Sequence, residues 1–77
     1  KQESTGEYID SSAITAKVKA DLLAEPGLSS MPIGVETYKD VVQLSGFVDS
    51  YDVKRRAESI ALAVDGVKSV RNDLVVR

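Results

Sequence analysis

The chain has 77 residues, with ten basic and twelve acidic side chains and a formal net charge of −2. A chain of this length forms one small domain that buries only about 60% of its unfolded surface, which leaves little room for a deep active site. It contains neither cysteine nor histidine, so disulfides, Cys/His zinc sites, cysteine nucleophiles and histidine general bases are excluded. The slightly acidic balance argues against a dedicated nucleic-acid binder, and no apolar run reaches the roughly 18 residues typical of a membrane span.

The N-terminal segment differs in composition from the rest. Its first ten residues are polar and lack apolar periodicity, so we expect residues 1–10 to form a flexible tether and residues 11–77 to form the domain. The chain begins with Lys1 rather than methionine, and we therefore expect that a preceding segment has been removed.

A first helix is predicted to run to about Glu25, with N-cap candidates at Asp10, Ser11 and Ser12. Its main apolar stripe repeats every four residues and consists of Ile14, Val18 and Leu22. The other side is small and apolar rather than charged, and carries Ala16, Ala20, Leu23 and Ala24. Two explanations stay open for this second side. One is the high helix propensity of alanine, which we favour slightly; the other is a surface that meets a membrane or a partner.

The next segment predicts a β-hairpin. Pro26-Gly27 ends the helix. Alternating apolar residues then predict strands at Ile33–Tyr38 and Val41–Phe47, joined by a tight reversal at Lys39-Asp40 whose turn type stays open. Gly46 lies near the end of the second strand, where the backbone passes close to a neighbour or needs a conformation that a side chain would forbid.

The C-terminal part predicts a second helix and a last strand. From Asp49 or Ser50 the apolar period changes from two to 3.6, and Asp65-Gly66 ends the helix. Its buried stripe consists of Val53, Ala57, Ile60, Ala61 and Val64. The last strand is predicted over 67–76, with a phase slip before Val70 that either a bulge or a late strand start would explain.

These elements predict an α+β fold of order α-β-β-α-β. The second strand, second helix and last strand form a right-handed β-α-β unit with parallel strands. The hairpin makes the first two strands antiparallel, so the sheet is mixed and three-stranded, with Val41–Phe47 in the centre and Leu44 in the core. Both helices are predicted to cover one face, because each has one dominant apolar stripe.

Four segments together resemble the BON domain family: DSSAITAKVKA (10–20), VVQLSGFVDS (41–50), AESIA (57–61) and VDGVKSVRNDL (64–74). The resemblance spans Ser11 to Val76 and implies the same α-β-β-α-β fold. It also implies a non-enzymatic, OsmY-like module of the bacterial envelope, connected with osmotic or envelope stress and proposed to bind phospholipid surfaces. The implied location is the periplasm, with a lipid anchor to the outer membrane on a segment before Lys1 as one option. Such proteins often carry two of these domains, whereas this chain carries one.

Nine surface residues are candidates for contact with an anionic phospholipid surface or an envelope protein: Lys17, Lys19, Ala20, Leu23, Val41, Phe47, Lys54, Arg55 and Arg56. The compact basic run 54–56 could meet lipid headgroups, where each basic residue is worth about 1 kcal/mol. The ordinary explanation is the solvated face of an amphipathic helix, balanced by nearby acidic residues, and we favour it for each residue taken alone.

The other candidate for a contact surface is the outer face of the sheet, if that face is open to solvent. The residues predicted outside the main core are Tyr38, Val41, Phe47 and Tyr51. A partly apolar exposed sheet face could dock a protein partner or a second domain. Ordinary cross-strand packing explains the same residues equally well.

The sequence offers few side chains that could act in catalysis. The serines at 45, 50, 59 and 69 have no histidine base and no Gly-x-Ser-x-Gly elbow. The carboxylates at 49, 52 and 65 lie at predicted helix ends, where capping and the helix dipole explain them. Gly-rich phosphate loops and the Gly-x-x-Gly loop of KH-type RNA modules are absent from the sequence. We therefore expect no enzyme, no cofactor, no metal site and no nucleic-acid partner.

Overall fold

The computed structural model describes residues 11–77 of the chain. Its elements, in chain order, are α1 (Ser11–Ala24), β1 (Ile33–Tyr38), β2 (Val41–Val48), α2 (Tyr51–Leu62) and β3 (Ser69–Val76). The predicted α+β fold of order α-β-β-α-β is confirmed. The predicted tether at residues 1–10, including the N-cap candidate Asp10, lies outside the described residues.

The sheet has the predicted mixed topology. Its strand order is β1-β2-β3, with β1 antiparallel and β3 parallel to the central strand β2. Strand β2 extends one residue beyond its predicted end, to Val48. Strand β3 pairs with β2 without interruption from Ser69 to Val76, so a late strand start, and not a bulge, accounts for the phase slip.

The hairpin turn between β1 and β2 is built from two residues with positive φ. Lys39 has φ 50° and Asp40 has φ 66°. Positive φ at both central residues is the requirement of a type I′ turn, whose twist matches the right-handed twist of the flanking strands. The Asp40 carbonyl also accepts a hydrogen bond of 2.7 Å from the Lys68 amide, which ties the turn to the chain just before β3.

The core lies between the sheet and the two helices. Helix α1 buries Ile14, Val18 and Leu22, as predicted. Helix α2 buries Val53, Ala57 and Ala61, and Ile60 and Val64 also pack in the core. From β2 the sheet contributes Val42, Leu44 and Val48. The Leu44 side chain is fully buried, which confirms its predicted place in the core.

The helix ends combine local capping with glycine geometry. The Ser50 hydroxyl accepts a hydrogen bond of 3.2 Å from the Val53 amide, so Ser50 is the N-cap of α2. Helix α2 ends at Leu62 with Ala63 as its C-cap, which is before the predicted end at Asp65-Gly66, and Gly66 has φ 95° in the turn that follows. Helix α1 already includes Ser11 and Ser12. Of the three N-cap candidates, Ser11 and Ser12 therefore lie inside the helix, and Asp10 lies outside the described residues.

Candidate functional site

The nine candidate contact residues occupy three different parts of the surface. Lys17, Lys19, Ala20 and Leu23 lie together on α1, and the basic run 54–56 lies on α2. Val41 and Phe47 point to the opposite side of the sheet, because they alternate with the buried residues of β2. Within residues 11–77, no helix is long and apolar enough to cross a membrane.

The outward side of α1 is an apolar strip between two lysines. Ala16 and Ala20 lie opposite the buried stripe of the helix and are exposed, and the Leu23 side chain is 61% exposed. Lys17 lies on the α2 flank, where it lines a shallow depression with Val64 and Asp65. Lys19 lies on the β1 flank. We call this surface the α1 ridge and define it by Ala16, Ala20, Leu23, Lys17 and Lys19.

The two lysines of the α1 ridge differ in their electrostatic surroundings. Lys17 donates a hydrogen bond of 3.1 Å to Asp21, one helical turn further along. Among residues 11–77, no carboxylate forms an ion pair with Lys19. On this ridge, the charge of Lys17 is therefore compensated, whereas that of Lys19 is not compensated by any carboxylate among residues 11–77.

Two of the three basic residues in the run on α2 form ion pairs within the domain, whereas Lys54 forms none among residues 11–77. Arg55 pairs with Asp52 at 3.0 Å, with both side chains well exposed. Arg56 reaches across to α1, where its guanidinium pairs with the Glu25 carboxylate and donates to the Pro26 carbonyl. These ion pairs favour the solvated-face explanation for Arg55 and give Arg56 a structural role between the two helices.

The outer face of the sheet carries two apolar patches. In the first, the exposed Tyr38 lies opposite the half-buried Val41. In the second, Phe47 (46% exposed) lies opposite Val75 (50% exposed), and the Arg77 guanidinium stands 4.4 Å from the Phe47 ring centroid. Together with the exposed Tyr51, these positions confirm the predicted residues outside the core.

A polar band separates the two patches. The Gln43 amide donates to Asp73 at 2.9 Å, and the Asp73 carboxylate also pairs with Arg71 at 3.1 Å. The outer face is therefore not one continuous apolar surface.

Two structural features were missed by sequence reasoning. Asn72 lies on the helix-facing side of β3, where its amide donates to the Lys54 carbonyl at 2.9 Å and to Glu58 at 3.1 Å. Its shared parity with Val70 and Leu74 was the available signal, since a polar residue on a buried face needs a partner. The second feature is a hydrogen bond of 2.8 Å between the Thr15 and Thr37 hydroxyls, which joins α1 to β1. No local pattern could reveal that contact between distant segments.

Comparison with known proteins gives two similarities. Residues 10–77 match the family described as BON domain. Over 74 residues the chain is 54% identical to the "Osmotically-inducible protein Y" of Escherichia coli (strain K12). That alignment covers 96% of this chain and 37% of the relative, so the chain spans little more than a third of that protein's length.

Proposed function

Because this chain belongs to the BON domain family, we propose that it is a non-enzymatic, osmotic-stress module of the bacterial envelope that associates peripherally with anionic phospholipid. The osmotic-stress assignment is supported by the 54% identity to a protein named as osmotically inducible. The proposed location is the periplasm, as the family resemblance implies. A lipid anchor on a segment before Lys1 would add a second attachment to the membrane, and stable anchoring generally takes two signals.

The observation that carries the proposal is the arrangement of the α1 ridge. Its apolar residues are exposed, and Lys17 and Lys19 stand on opposite flanks. A helix lying in the headgroup region needs this arrangement, because lysine stems cover apolar surface while their ammonium groups reach the phosphates. Each lysine near an anionic surface contributes about 1 kcal/mol. The alanines are small, so the predicted insertion is shallow.

The charge of the whole domain sets the strength of this association. The net charge is −2, so attraction to an anionic membrane depends on locally basic surface, which we assign to the lysines of the α1 ridge. Such binding is weak, reversible and lost at high salt, because charges separated by more than about 8 Å are largely screened at physiological ionic strength.

Vesicle co-sedimentation tests the proposal with a matched pair of variants. We expect the protein to bind vesicles that contain phosphatidylglycerol at low salt and not to bind vesicles of pure phosphatidylcholine. Ala20→Glu places a negative charge on the ridge and should weaken binding about fivefold or more. Ser59→Glu adds the same charge at an exposed position of α2 and should have a smaller effect. Absence of binding to both vesicle types at low salt would refute the proposal.

A second candidate function is protein–protein interaction through the outer face of the sheet. It is favoured by the exposure of Phe47 and Val75 at paired positions, with a second patch at Tyr38 and Val41 on the other side of the polar band. Under this alternative, Phe47→Asp or Val41→Lys abolishes self-association or partner capture without unfolding the domain. If both substitutions leave such binding unchanged, the outer face is not the interaction surface.

A further inference from the structure

Beyond membrane association, we propose that the groove between α1 and the outer edge of β1, which no strand of residues 11–77 covers, binds an extended polypeptide segment as a fourth strand. The segment would place one aliphatic side chain in a small pocket at the end of the groove and a carboxylate on the same face of the strand beside Lys19. The inference does not depend on the lipid proposal, since it rests on the edge strand and the pocket.

The edge of β1 offers backbone groups for pairing. β1 is an outer strand of the three-stranded sheet, and its two-residue turn makes Tyr38 and Val41 a hydrogen-bonded pair. Hydrogen-bonded pairs alternate along an antiparallel ladder, so Val35 and Thr37 direct their N–H and C=O groups away from β2. An edge of this kind is the template that extended peptides use when they add a strand to a sheet.

Helix α1 forms the second wall of the groove. The residues that line it are Ser11, Ser12, Thr15, Ala16 and Lys19 of the helix and Val35, Glu36 and Thr37 of β1. The side chains of Ser12 and Ala16 are small, which leaves space above the strand edge. The 2.8 Å hydrogen bond between the Thr15 and Thr37 hydroxyls fixes the helix to the strand at the floor of the groove.

An apolar pocket lies at the end of this groove nearer to the C-terminus of α1. It is lined by Lys19, Leu22, Leu23, Leu28, Met31, Ile33 and Val35. Its volume is about 100 Å³, and since a water takes about 30 Å³ in the liquid, the pocket has room for one aliphatic side chain. Leu23 is 61% exposed in this wall, so an occupant would remove apolar surface from water.

Charge complementarity indicates what accompanies that aliphatic side chain. Lys19 is the one charged residue that lines the pocket, and no carboxylate among residues 11–77 pairs with it. The groove itself is lined by Lys19 and by Glu36 of β1, so the positive charge lies at the pocket end. A carboxylate two residues from the bound side chain, on the same face of the strand, or a terminal carboxylate would supply that partner. The carboxylate could belong to an acidic side chain or to the C-terminus of the bound segment, and both present the same chemistry to Lys19.

The test uses the ¹⁵N-labelled chain and three synthetic seven-residue probe peptides that alternate threonine and valine before a leucine. The first ends in leucine, threonine and amidated aspartate, so that leucine and aspartate lie on the same face of the strand; the second ends at leucine with a free carboxylate, and the third ends in leucine, threonine and amidated asparagine. We expect either carboxylate probe to shift the amide signals of residues 33–38 and 19–23, and the stronger of the two identifies the carboxylate source. The asparagine probe should bind about fivefold more weakly than the aspartate probe.

A matched pair of charge reversals separates this inference from the lipid proposal. Lys19→Glu should weaken the carboxylate probes about fivefold or more, whereas Lys17→Glu, on the other flank of α1, should change them by less than about twofold. Both reversals should weaken association with anionic vesicles, because both lysines flank the α1 ridge. Equal effects of the two reversals on peptide binding, or no shifts in residues 33–38 at millimolar probe, would overturn the inference.

A backbone variant tests the added strand itself. Thr37→Pro removes an edge N–H without touching the pairing between β1 and β2, and edge strands tolerate proline. Thr37→Val, its control, removes only the hydroxyl. We expect Thr37→Val to bind the carboxylate probes and Thr37→Pro to lose them. If Thr37→Pro folds and binds the carboxylate probes as well as Thr37→Val does, strand addition is refuted. If Thr37→Pro does not fold, the comparison of Lys19→Glu with Lys17→Glu tests the inference.

Discussion

A β-carbon at Gly46 would lie 2.1 Å from the carbonyl oxygen of Pro32. The φ of Gly46 is also +121°, a conformation that side chains rarely adopt. Both reasons expected for a glycine at this position therefore apply: a neighbouring backbone segment lies close, and the backbone conformation disfavours a side chain. Because the obstructing atom belongs to the backbone, no rotation of a side chain can relieve the overlap.

We expect Gly46→Ala to cost about 3 kcal/mol or more of the free energy of unfolding, a large share of a small domain's stability. Urea denaturation measures this loss. Gly27→Ala is the matched control, since Gly27 has φ +89° but a β-carbon there would meet nothing closer than 4.0 Å. That control should cost about 1–2 kcal/mol, the strain of the left-handed conformation alone. Equal losses in the two variants would show that the contact with Pro32 has no energetic effect.

Leu44 provides a test of the core. Its side chain is fully buried in the central strand, so Leu44→Ala should reduce the free energy of unfolding by about 2–5 kcal/mol through lost burial and an unfilled cavity. Leu62→Ala is the control, because Leu62 is 47% exposed on α2. Chemical denaturation compares the two variants. A loss below about 1 kcal/mol for Leu44→Ala would contradict the described core.

Asn72 links the last strand to α2 through a pattern of donors and acceptors that a carboxylate cannot reproduce. Its amide nitrogen donates to the Lys54 carbonyl and to Glu58, and its amide oxygen accepts from the Leu74 amide at 3.2 Å. Asn72→Asp replaces two donated hydrogen bonds by repulsion between oxygens. We expect a loss of about 2–3 kcal/mol at neutral pH.

The same variant should show a pH dependence of defined sign. Its destabilisation relative to the unchanged protein should shrink as the pH falls, because the introduced carboxyl becomes neutral and can donate a hydrogen bond again. Ser69→Asp adds the same charge at an exposed position of β3 and should lack this dependence. Urea denaturation at neutral and acidic pH measures both variants, and a destabilisation by Asn72→Asp that grows on acidification would contradict the assigned contacts.

The ion pair between Arg56 and Glu25 joins α2 to the end of α1. Both side chains are partly exposed, at 41% and 33%, so solvent screening limits the expected loss for Arg56→Ala to about 1 kcal/mol. Arg55→Ala should cost less, because Arg55 and its partner Asp52 are both 71% exposed. Thermal unfolding at low and high salt compares the two. A larger effect of Arg55→Ala would contradict the structural role assigned to Arg56.

Local periodicity predicted most of the fold, since the stripe Ile14, Val18 and Leu22 and the alternation along β2 each follow from neighbouring residues. The type of the hairpin turn did not follow, because Lys39 is an unusual residue for positive φ and no Asn-Gly or Asp-Gly pair marks the turn. The hydrogen bond between Asp40 and Lys68 joins segments that lie far apart in sequence. Such a contact produces no periodic pattern in the sequence of either segment.

The candidate surfaces were only partly predictable for the same reason. The apolar second side of α1 was visible in the sequence, and Lys17 and Lys19 were recognised as candidates. The sequence could not show that Lys19 faces the edge of β1, or that Arg56 pairs with Glu25. Both depend on how α1 is placed against the rest of the domain, which tertiary packing decides.

The most direct test of the proposed membrane association is a residue-resolved NMR titration of the ¹⁵N-labelled chain with anionic bicelles. We expect chemical-shift changes and line broadening to cluster on Lys17–Leu23, with the Ala20→Glu variant losing them and Ser59→Glu retaining them. A flat response, or changes confined to Tyr38, Val41 and Phe47 on the outer face of the sheet, would contradict membrane association through the α1 ridge.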